Sequence, residues 1–127
     1  MNRNDRAGAA PLATIDLFGI KACDTMKKAR TFLETRGVPH VFHDYKLEGV
    51  TAEVLREWAG KVGWEKLLNR SGTTFRKLPE AARADLDEGR AIALMVAQPS
   101  MIKRPVLTRG DDILVGFKPE EWERFLA

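Results

Sequence analysis

Residues 14–45 constrain the fold most, because they predict a strand, a helix and a second strand in direct succession. The run "ATIDLFGI" is apolar and strand-like, and "PHVFHDY", residues 39–45, is rich in β-forming residues. Between them, "DTMKKARTFLETRG" is helical and ends at Gly37, a typical residue for a helix C-terminus. Because crossover connections of this kind join parallel strands, the two strands should be parallel. The apolar residues on one face of the predicted helix are Met26, Ala29, Phe32 and Leu33.

The middle of the chain, from about residue 50 to residue 100, predicts helices and loops without a strand. Thr51 is a good N-cap for the helix "TAEVLREWAGKVG". A short helical turn and a Ser-Gly-Thr-Thr loop follow in "WEKLLNRSGTTFRKL". We expect further helices in "PEAARADLDEG", with Pro79 in the first turn, and in "RAIALMVAQPS", ending before Pro99. The residues expected to face inward from the first of these helices are Val54, Leu55, Trp58 and Val62.

The end of the chain predicts a β-hairpin and a closing helix. The strands should cover residues 106–108 and 113–117, with Gly110 and Asp111 in the turn. Pro119 suits the first turn of the last helix. The full order therefore indicates an α/β domain whose mixed sheet has about four strands, with a helical insert between its two halves.

Composition limits the function classes. The chain has 127 residues, 44% of them hydrophobic, and no stretch approaches about 18 consecutive apolar residues, so we expect no membrane span. Residues 1–13 lack the apolar region of a signal peptide and are predicted to be a disordered lead-in to one domain over residues 14–127. The net charge of +3 is mild and its residues are scattered, which does not favour nucleic-acid binding. A single cysteine excludes an internal disulfide and favours the cytoplasm.

That cysteine, Cys23, lies where the first strand should pass into the first helix. The first amides of a helix have no partner within it and carry partial positive charge, so a thiol there is stabilised as thiolate. Lys21, Lys27 and Lys28 add positive charge, whereas Asp24 opposes them. We expect a lowered pKa of Cys23 and a nucleophilic thiolate. The alternative is that Cys23 is a small buried core residue.

No second thiol exists to resolve a mixed disulfide on Cys23, since Thr25 and Met26 occupy the positions where one would lie. An external thiol such as glutathione would be needed. The two histidines, His40 and His43, should point to opposite sides of a regular strand and do not favour a metal site.

The stretch "PSMIKRPVLT" contains the second candidate residue, Arg104, directly before Pro105. An X-Pro bond at the head of a strand is a candidate for the cis form. If the strand lies beside the start of the first helix, Arg104 presents a planar charged group to an anion near Cys23. The alternative is an ordinary surface arginine. A third stretch, "LLNRSGTTFRKL", supplies weaker candidates for the same cleft: Asn69, Arg70 and Arg76.

Together, "FGIKACDTMKKA", "LLNRSGTTFRKL" and "PSMIKRPVL" resemble the motifs of the ArsC-like family over about residues 14–127. That family contains glutaredoxin-coupled arsenate reductases, Spx-type regulators and YffB-type proteins. The resemblance implies a thioredoxin-like fold with a helical insert, a nucleophile at Cys23 and an arginine at Arg104 before a cis Pro105. It implies no bound cofactor, with glutathione as co-substrate. Around the catalytic pair it implies contributions to substrate binding from Lys21, Asp24, Thr25, Asn69, Arg70, Pro105 and Lys118.

The details are most similar to the YffB-type branch, for which the resemblance implies a glutathione-dependent monothiol reductase, with glutaredoxin as a further candidate partner. Two of the three arginines that bind the oxyanion in arsenate reductases correspond to positions near Asn69 and Lys118 here. Arsenate reduction is therefore an alternative. An Spx-type regulator that binds RNA polymerase is a second alternative, although many such proteins carry a Cys-x-x-Cys pair that this chain lacks.

Overall fold

The computed structural model describes residues 14–127, so the disordered lead-in predicted for residues 1–13 lies outside the described residues. The chain begins with strand β1 (Ile15–Gly19), helix α1 (Asp24–Thr35) and strand β2 (Val41–Asp44). β1 and β2 are parallel, as predicted, with Leu17 opposite Phe42. Gly37 follows α1 with a φ of 65°, a conformation that favours glycine. The four apolar residues predicted for the inner face of α1 are buried.

The sheet is completed by the predicted hairpin, β3 (Val106–Arg109) and β4 (Asp112–Val115). The strand order is β2-β1-β3-β4, with β3 antiparallel to β1 and Phe18 opposite Val106. The beginning of β3 therefore lies beside the end of β1. This mixed four-stranded sheet, flanked by helices, has the thioredoxin-like fold.

Between β2 and β3 the chain is helical, and one more helix follows β4. Several of the helices are single turns, and a 3₁₀ turn at Pro99–Met101 leads toward β3. The helices are α2 (Tyr45–Glu48), α3 (Ala52–Val62), α4 (Trp64–Leu67), α5 (Thr73–Arg76), α6 (Glu80–Arg83), α7 (Glu88–Ala97) and α8 (Pro119–Leu126).

The prediction for α3 is confirmed. The Thr51 hydroxyl accepts a hydrogen bond from the Val54 amide at 3.2 Å, as an N-cap should. Leu55 and Trp58 are buried, while Val54 and Val62 are partly buried against the same core. Pro119 occupies the first turn of α8, also as predicted.

The second strand is shorter than predicted, because Asp44 ends it. One carboxylate oxygen of Asp44 accepts a hydrogen bond from the Lys46 amide at 2.8 Å and so caps α2, which begins at Tyr45. A side chain that satisfies a helix terminus in this way competes with continued strand pairing. β4 also differs from its predicted bounds, since it begins at Asp112 and ends before Gly116, whose φ is 93°.

Three helix boundaries were wrong as well. Thr73 and Thr74 belong to α5 rather than to a loop. Pro79 precedes α6 as its N-cap instead of occupying its first turn. α7 begins at Glu88, earlier than expected, because the Asp87 carboxylate accepts a hydrogen bond from the Arg90 amide at 2.8 Å.

The sheet separates two apolar clusters. Leu17 and Leu107 face α1 and α8, where Trp122 is fully buried. Phe18 and Val106, their neighbours in sequence, face the helices that lie between β2 and β3. This alternation follows from the period of two in a strand. Within residues 14–127 the helices lack the length and hydropathy that a transmembrane span requires.

Candidate active site

Cys23 is the N-cap residue of α1, at the junction predicted from the sequence. A tight turn precedes it, in which the Cys23 amide donates to the carbonyl of Ile20 at 3.2 Å. Asp24 is the first residue of the helix. The thiol is half-buried and packs against the cluster that contains Leu17 and Trp122. It is therefore neither a core residue sealed from solvent nor a freely exposed side chain.

The environment of Cys23 lowers the pKa of its thiol. Partial burial raises this pKa, but hydrogen bonding from the Arg104 guanidinium and the positive charge of that group lower it. The backbone amides of Met26 and Thr25, at the start of α1, face the sulfur and lower the pKa further. The lowering agrees with the prediction from the helix terminus, although Arg104 contributes more than either amide.

Arg104 reaches Cys23 because of the strand arrangement. The start of β3 lies beside the end of β1, so the residues just before β3 face the turn that ends at Cys23. The Arg104–Pro105 peptide bond is cis, as predicted. One terminal nitrogen of Arg104, Nη1, donates to the carbonyl of Ser100 at 3.1 Å. Its Nε is buried and has no hydrogen-bond partner among the described residues.

Two neighbouring residues at the end of β2, Asp44 and Tyr45, are part of the site and were missed by the sequence analysis. The second carboxylate oxygen of Asp44 accepts a hydrogen bond from the backbone amide of Lys21 at 3.2 Å. The buried Tyr45 hydroxyl donates to the carbonyl of Lys103 at 3.3 Å. Burial raises the pKa of Tyr45, although the nearby charge of Arg104 opposes this. The sequence did contain a signal for Asp44, because it is an acidic residue at the carboxyl end of a predicted parallel strand.

The segment 69–76 packs against the chain that precedes Arg104, but most of its polar side chains bond within the segment. Asn69 Oδ1 accepts a hydrogen bond from the Ser71 hydroxyl at 3.2 Å. Arg76 donates from Nε and Nη2 to the carbonyl of Ser71, at 3.0 and 2.6 Å. The hypothesis that Asn69 and Arg76 line the cleft therefore gains no support from these contacts. Thr74 does contact the 3₁₀ turn, through the Ser100 hydroxyl at 3.1 Å.

Arg70 is the member of this segment that contacts Trp64 and lines a surface pocket. Its guanidinium stands 5.2 Å from the centroid of the Trp64 ring. Together with Lys103, the neighbour of Arg104, it lines an open pocket of about 500 Å³. Glu65 also lines this pocket, so it presents two cations and one carboxylate.

The remaining predicted residues differ in how closely they approach Cys23. Lys21 contributes its amide to Asp44, and its side chain is exposed. Asp24 and Thr25 are exposed in the first turn of α1. Pro105 is buried behind Arg104, where its carbonyl accepts a hydrogen bond from the Gly116 amide at 2.8 Å. Lys118 is exposed as the N-cap residue of α8.

His43 forms a separate polar cluster on the sheet. Its ring nitrogens contact carboxylate oxygens of Asp16 and Glu48 at 2.8 and 2.9 Å. Burial lowers the pKa of His43, but hydrogen bonds to Asp16 and Glu48 and their charges raise it overall. The ring also stacks on Phe18, with centroids 4.5 Å apart. His40 lies before β2 and contacts the carbonyl of Val38 at 2.9 Å.

The arrangement at Cys23 suits nucleophilic attack on a substrate that carries a negatively charged group. The thiolate is accessible, and Arg104 and the first amides of α1 provide donors around it. A planar guanidinium binds a carboxylate or an oxyanion with two parallel hydrogen bonds.

Comparison with known proteins identifies the family of this chain. A family model described as the ArsC family matches residues 18–125. A solved protein named YFFB is 61% identical, covers 90% of this chain and 100% of its own, and superimposes with a TM-score of 0.87. An uncharacterised protein of Haemophilus influenzae is 34% identical over 89% of this chain and 99% of its own length.

A more distant relative has a regulatory name. The global transcriptional regulator Spx 1 of Lactococcus lactis is 28% identical over 88% of each chain. The family match extends over most of the chain and includes the three motifs that contain Cys23, the segment 67–78 and Arg104. The resemblance noted from those motifs is confirmed, and this chain belongs to the ArsC family.

Proposed function

We propose that this protein is a cytoplasmic, glutathione-dependent monothiol reductase. The observation that carries the proposal is the pair formed by a half-buried Cys23, whose pKa is lowered, and the guanidinium of Arg104 beside it. The sequence contains no second cysteine, so a mixed disulfide on Cys23 needs a thiol from another molecule. Glutathione suits this role because it combines a thiol with carboxylates that an arginine can bind.

The reaction can be written as three thiol–disulfide exchanges. The Cys23 thiolate attacks one sulfur of a substrate disulfide, forms a mixed disulfide and releases the other half as a thiolate. A glutathione thiolate then attacks the Cys23 sulfur and releases the second half of the substrate. A second glutathione attacks the sulfur of the bound glutathione, which regenerates the Cys23 thiolate and yields glutathione disulfide. Two glutathione molecules are oxidised for each disulfide reduced.

Arg104 has a defined task in this scheme. Its charge stabilises the Cys23 thiolate both as nucleophile and as leaving group, and its guanidinium is the cation that we expect to bind a carboxylate of the substrate or of glutathione. Arg70 and Lys103 line a pocket together with Glu65, and we expect their two charges to add attraction for an anionic molecule. We expect at most a smaller effect from Lys118 and Asn69, because Lys118 is exposed and the Asn69 side chain bonds to Ser71.

The test is a reductase assay with purified protein, glutathione and the mixed disulfide of glutathione and 2-mercaptoethanol. Glutathione disulfide is measured through NADPH oxidation by glutathione reductase. We expect turnover that Cys23→Ser abolishes and Arg104→Lys weakens, because a point charge replaces a two-pronged donor. The control is Arg83→Met, since Arg83 is an exposed arginine of α6 that donates to the carbonyl of Leu78. Turnover that survives Cys23→Ser would contradict the mechanism.

The same purified protein can be used to test two alternative functions. Arsenate reduction would appear as glutathione- and glutaredoxin-dependent consumption of arsenate, and the absence of an arginine at Asn69 and Lys118 argues against it. The relationship to an Spx regulator favours a second candidate, a non-enzymatic protein that binds RNA polymerase. No turnover with either substrate, together with retention of purified RNA polymerase on the immobilised protein, would favour this regulator.

A further inference from the structure

The carboxylate of Asp44 connects two parts of the site that are far apart in sequence. Asp44 is the only charged or polar side chain classed as buried within residues 14–127. One of its oxygens accepts a hydrogen bond from the Lys46 amide at 2.8 Å, and the other from the Lys21 amide at 3.2 Å. Lys21 belongs to the turn that ends at Cys23. The carboxylate therefore holds the turn that presents the thiol against the end of β2.

The position of Asp44 follows from the sheet. In the parallel ladder, Asp44 is opposite Gly19, the last residue of β1. The carboxyl ends of parallel neighbours lie at the same edge of a sheet, so a side chain at the end of β2 is within reach of the loop after β1. Two backbone donors face two acceptor oxygens there, and both oxygens of the carboxylate are used.

The next residue, Tyr45, contacts the other half of the catalytic pair. Its side chain is 1% exposed, and its hydroxyl donates to the carbonyl of Lys103 at 3.3 Å. Lys103 immediately precedes Arg104, and its amide in turn donates to the carbonyl of Leu67 at 2.6 Å. The buried Tyr45 side chain lies close enough to Arg104 for the positive charge of Arg104 to lower its pKa, against the larger effect of burial.

We infer that Asp44 and Tyr45 are positioning residues, of which Asp44 orients the turn that carries Cys23 and Tyr45 orients the segment that carries Arg104. The two adjacent residues at the end of β2 thus set the distance between thiol and guanidinium. This inference deepens the proposed function and rests on it for its catalytic meaning. Neither side chain is assigned contact with the substrate.

The first test is Tyr45→Phe, which removes one hydroxyl and changes no charge. The pKa of Cys23 is measured from the pH dependence of its alkylation by iodoacetamide, because the thiolate is the reactive form. We expect a higher pKa and, below it, alkylation about threefold slower than in the wild type. An unchanged pH profile would overturn the role of Tyr45.

A double variant shows whether Tyr45 acts through Arg104. In an Arg104→Met background, Tyr45→Phe should cause no further change in the alkylation profile, because the group that it positions is gone. An equal shift in both backgrounds would mean that Tyr45 affects the thiol by another route, and would overturn the inference.

Asp44→Asn is a test in which a charge effect and a positioning effect predict opposite shifts of the Cys23 pKa. Removing a negative charge near a thiol, by itself, lowers the pKa of that thiol. If Asp44 instead positions the turn, replacing one acceptor oxygen by an NH₂ group that faces a backbone donor displaces Cys23 from Arg104, and the pKa of Cys23 rises. A rise supports the inference, while a fall or no change overturns it for Asp44. Should this variant not fold, Tyr45→Phe carries the test.

Thr51→Ala is the matched control, since it removes the N-cap of α3 without touching either contact. It should lower the thermal midpoint and leave the alkylation profile unchanged, as any merely structural substitution would. The titration needs no substrate. A wild-type protein without turnover would therefore count against the proposed function alone, whereas unchanged profiles in the Tyr45 and Asp44 variants would count against this inference alone.

Discussion

Replacing Arg104 by methionine should make Cys23 a weaker nucleophile at neutral pH. Four favourable contributions lower the pKa of the thiol against partial burial, and two of them, a hydrogen bond and a charge, come from Arg104. Methionine keeps a long unbranched stem but removes both. The amides of Met26 and Thr25 remain and act against the burial alone.

The magnitude can be estimated from the type of contact. A hydrogen bond to a charged group contributes about 1.5–3 kcal/mol when it is shielded from water. Because Cys23 is partly exposed, solvent screens the pair, and about 1 kcal/mol is the appropriate scale. That energy corresponds to about a fivefold smaller thiolate fraction at any pH below the pKa. The free energy of unfolding should change little. The substitution removes the hydrogen bond from Arg104 to the carbonyl of Ser100, but it also removes a buried nitrogen that has no partner among residues 14–127.

The assay is the alkylation rate of Cys23 by iodoacetamide, followed by mass spectrometry, between about pH 5 and about pH 10, a range that includes the ordinary thiol pKa of about 8.5. The chain has a single cysteine, so the signal is unambiguous. Arg104→Lys should give an intermediate profile, because it keeps the charge and loses the fork. Arg83→Met, which removes an exposed arginine of α6, should behave like the wild type. A superimposable profile for Arg104→Met and the wild type would refute the reasoning.

Three further predictions concern the framework of the site. Gly19→Ala should lower the free energy of unfolding by about 1–3 kcal/mol in urea titrations, because a Cβ atom there would lie 2.2 Å from the sulfur of the buried Met26; equal midpoints for both proteins would show that Met26 has room to move. Thr51→Ala should cost about 1 kcal/mol, whereas Thr51→Ser should retain the hydrogen bond to the Val54 amide and most of the stability. The pKa of His43 is raised in the folded protein by its contacts with Asp16 and Glu48, so its stabilising contribution is complete below the unfolded value of about 6.5 and is lost as the pH rises through the folded value. Denaturation curves recorded from below the unfolded pKa to above the folded pKa of His43 should therefore show a free energy of unfolding that falls as the pH rises, and His43→Gln should abolish this fall. The same pH dependence in both proteins would exclude His43 as its source.

The sequence predicted most of the fold where local patterns were strong. The helical face of α1, the N-cap at Thr51 and the hairpin at Gly110 rest on interactions between residues close in the chain, and the structure confirms them. Two of the errors in element boundaries occurred where an aspartate side chain caps a helix instead of following the strand or apolar pattern. Asp44 caps α2 instead of continuing β2, and Asp87 starts α7 earlier than the apolar pattern indicated.

The candidate site was predictable only in part. Cys23 could be identified because a thiol between a strand and a helix has a local physical meaning, namely proximity to unpaired amides. The contribution of Tyr45 could not be identified, since a tyrosine at the end of an apolar run resembles any other strand residue. Asn69 and Arg76 are polar residues in a matching motif, and their place in the site stays a prediction, since their side chains bond to Ser71 within their own segment.

By itself, then, the sequence predicted a candidate nucleophile, Cys23, and the end of α1 that lowers its pKa, because capping and helix dipoles act over one turn of the chain. Only the tertiary structure decided what lies opposite the thiol. Arg104 meets Cys23 because β3 runs antiparallel to β1, and Asp44 reaches the turn of Cys23 because β2 runs parallel to it. Both contacts depend on how the strands are aligned. That alignment is set by burial of the apolar residues on the two faces of the sheet, to which the whole chain contributes.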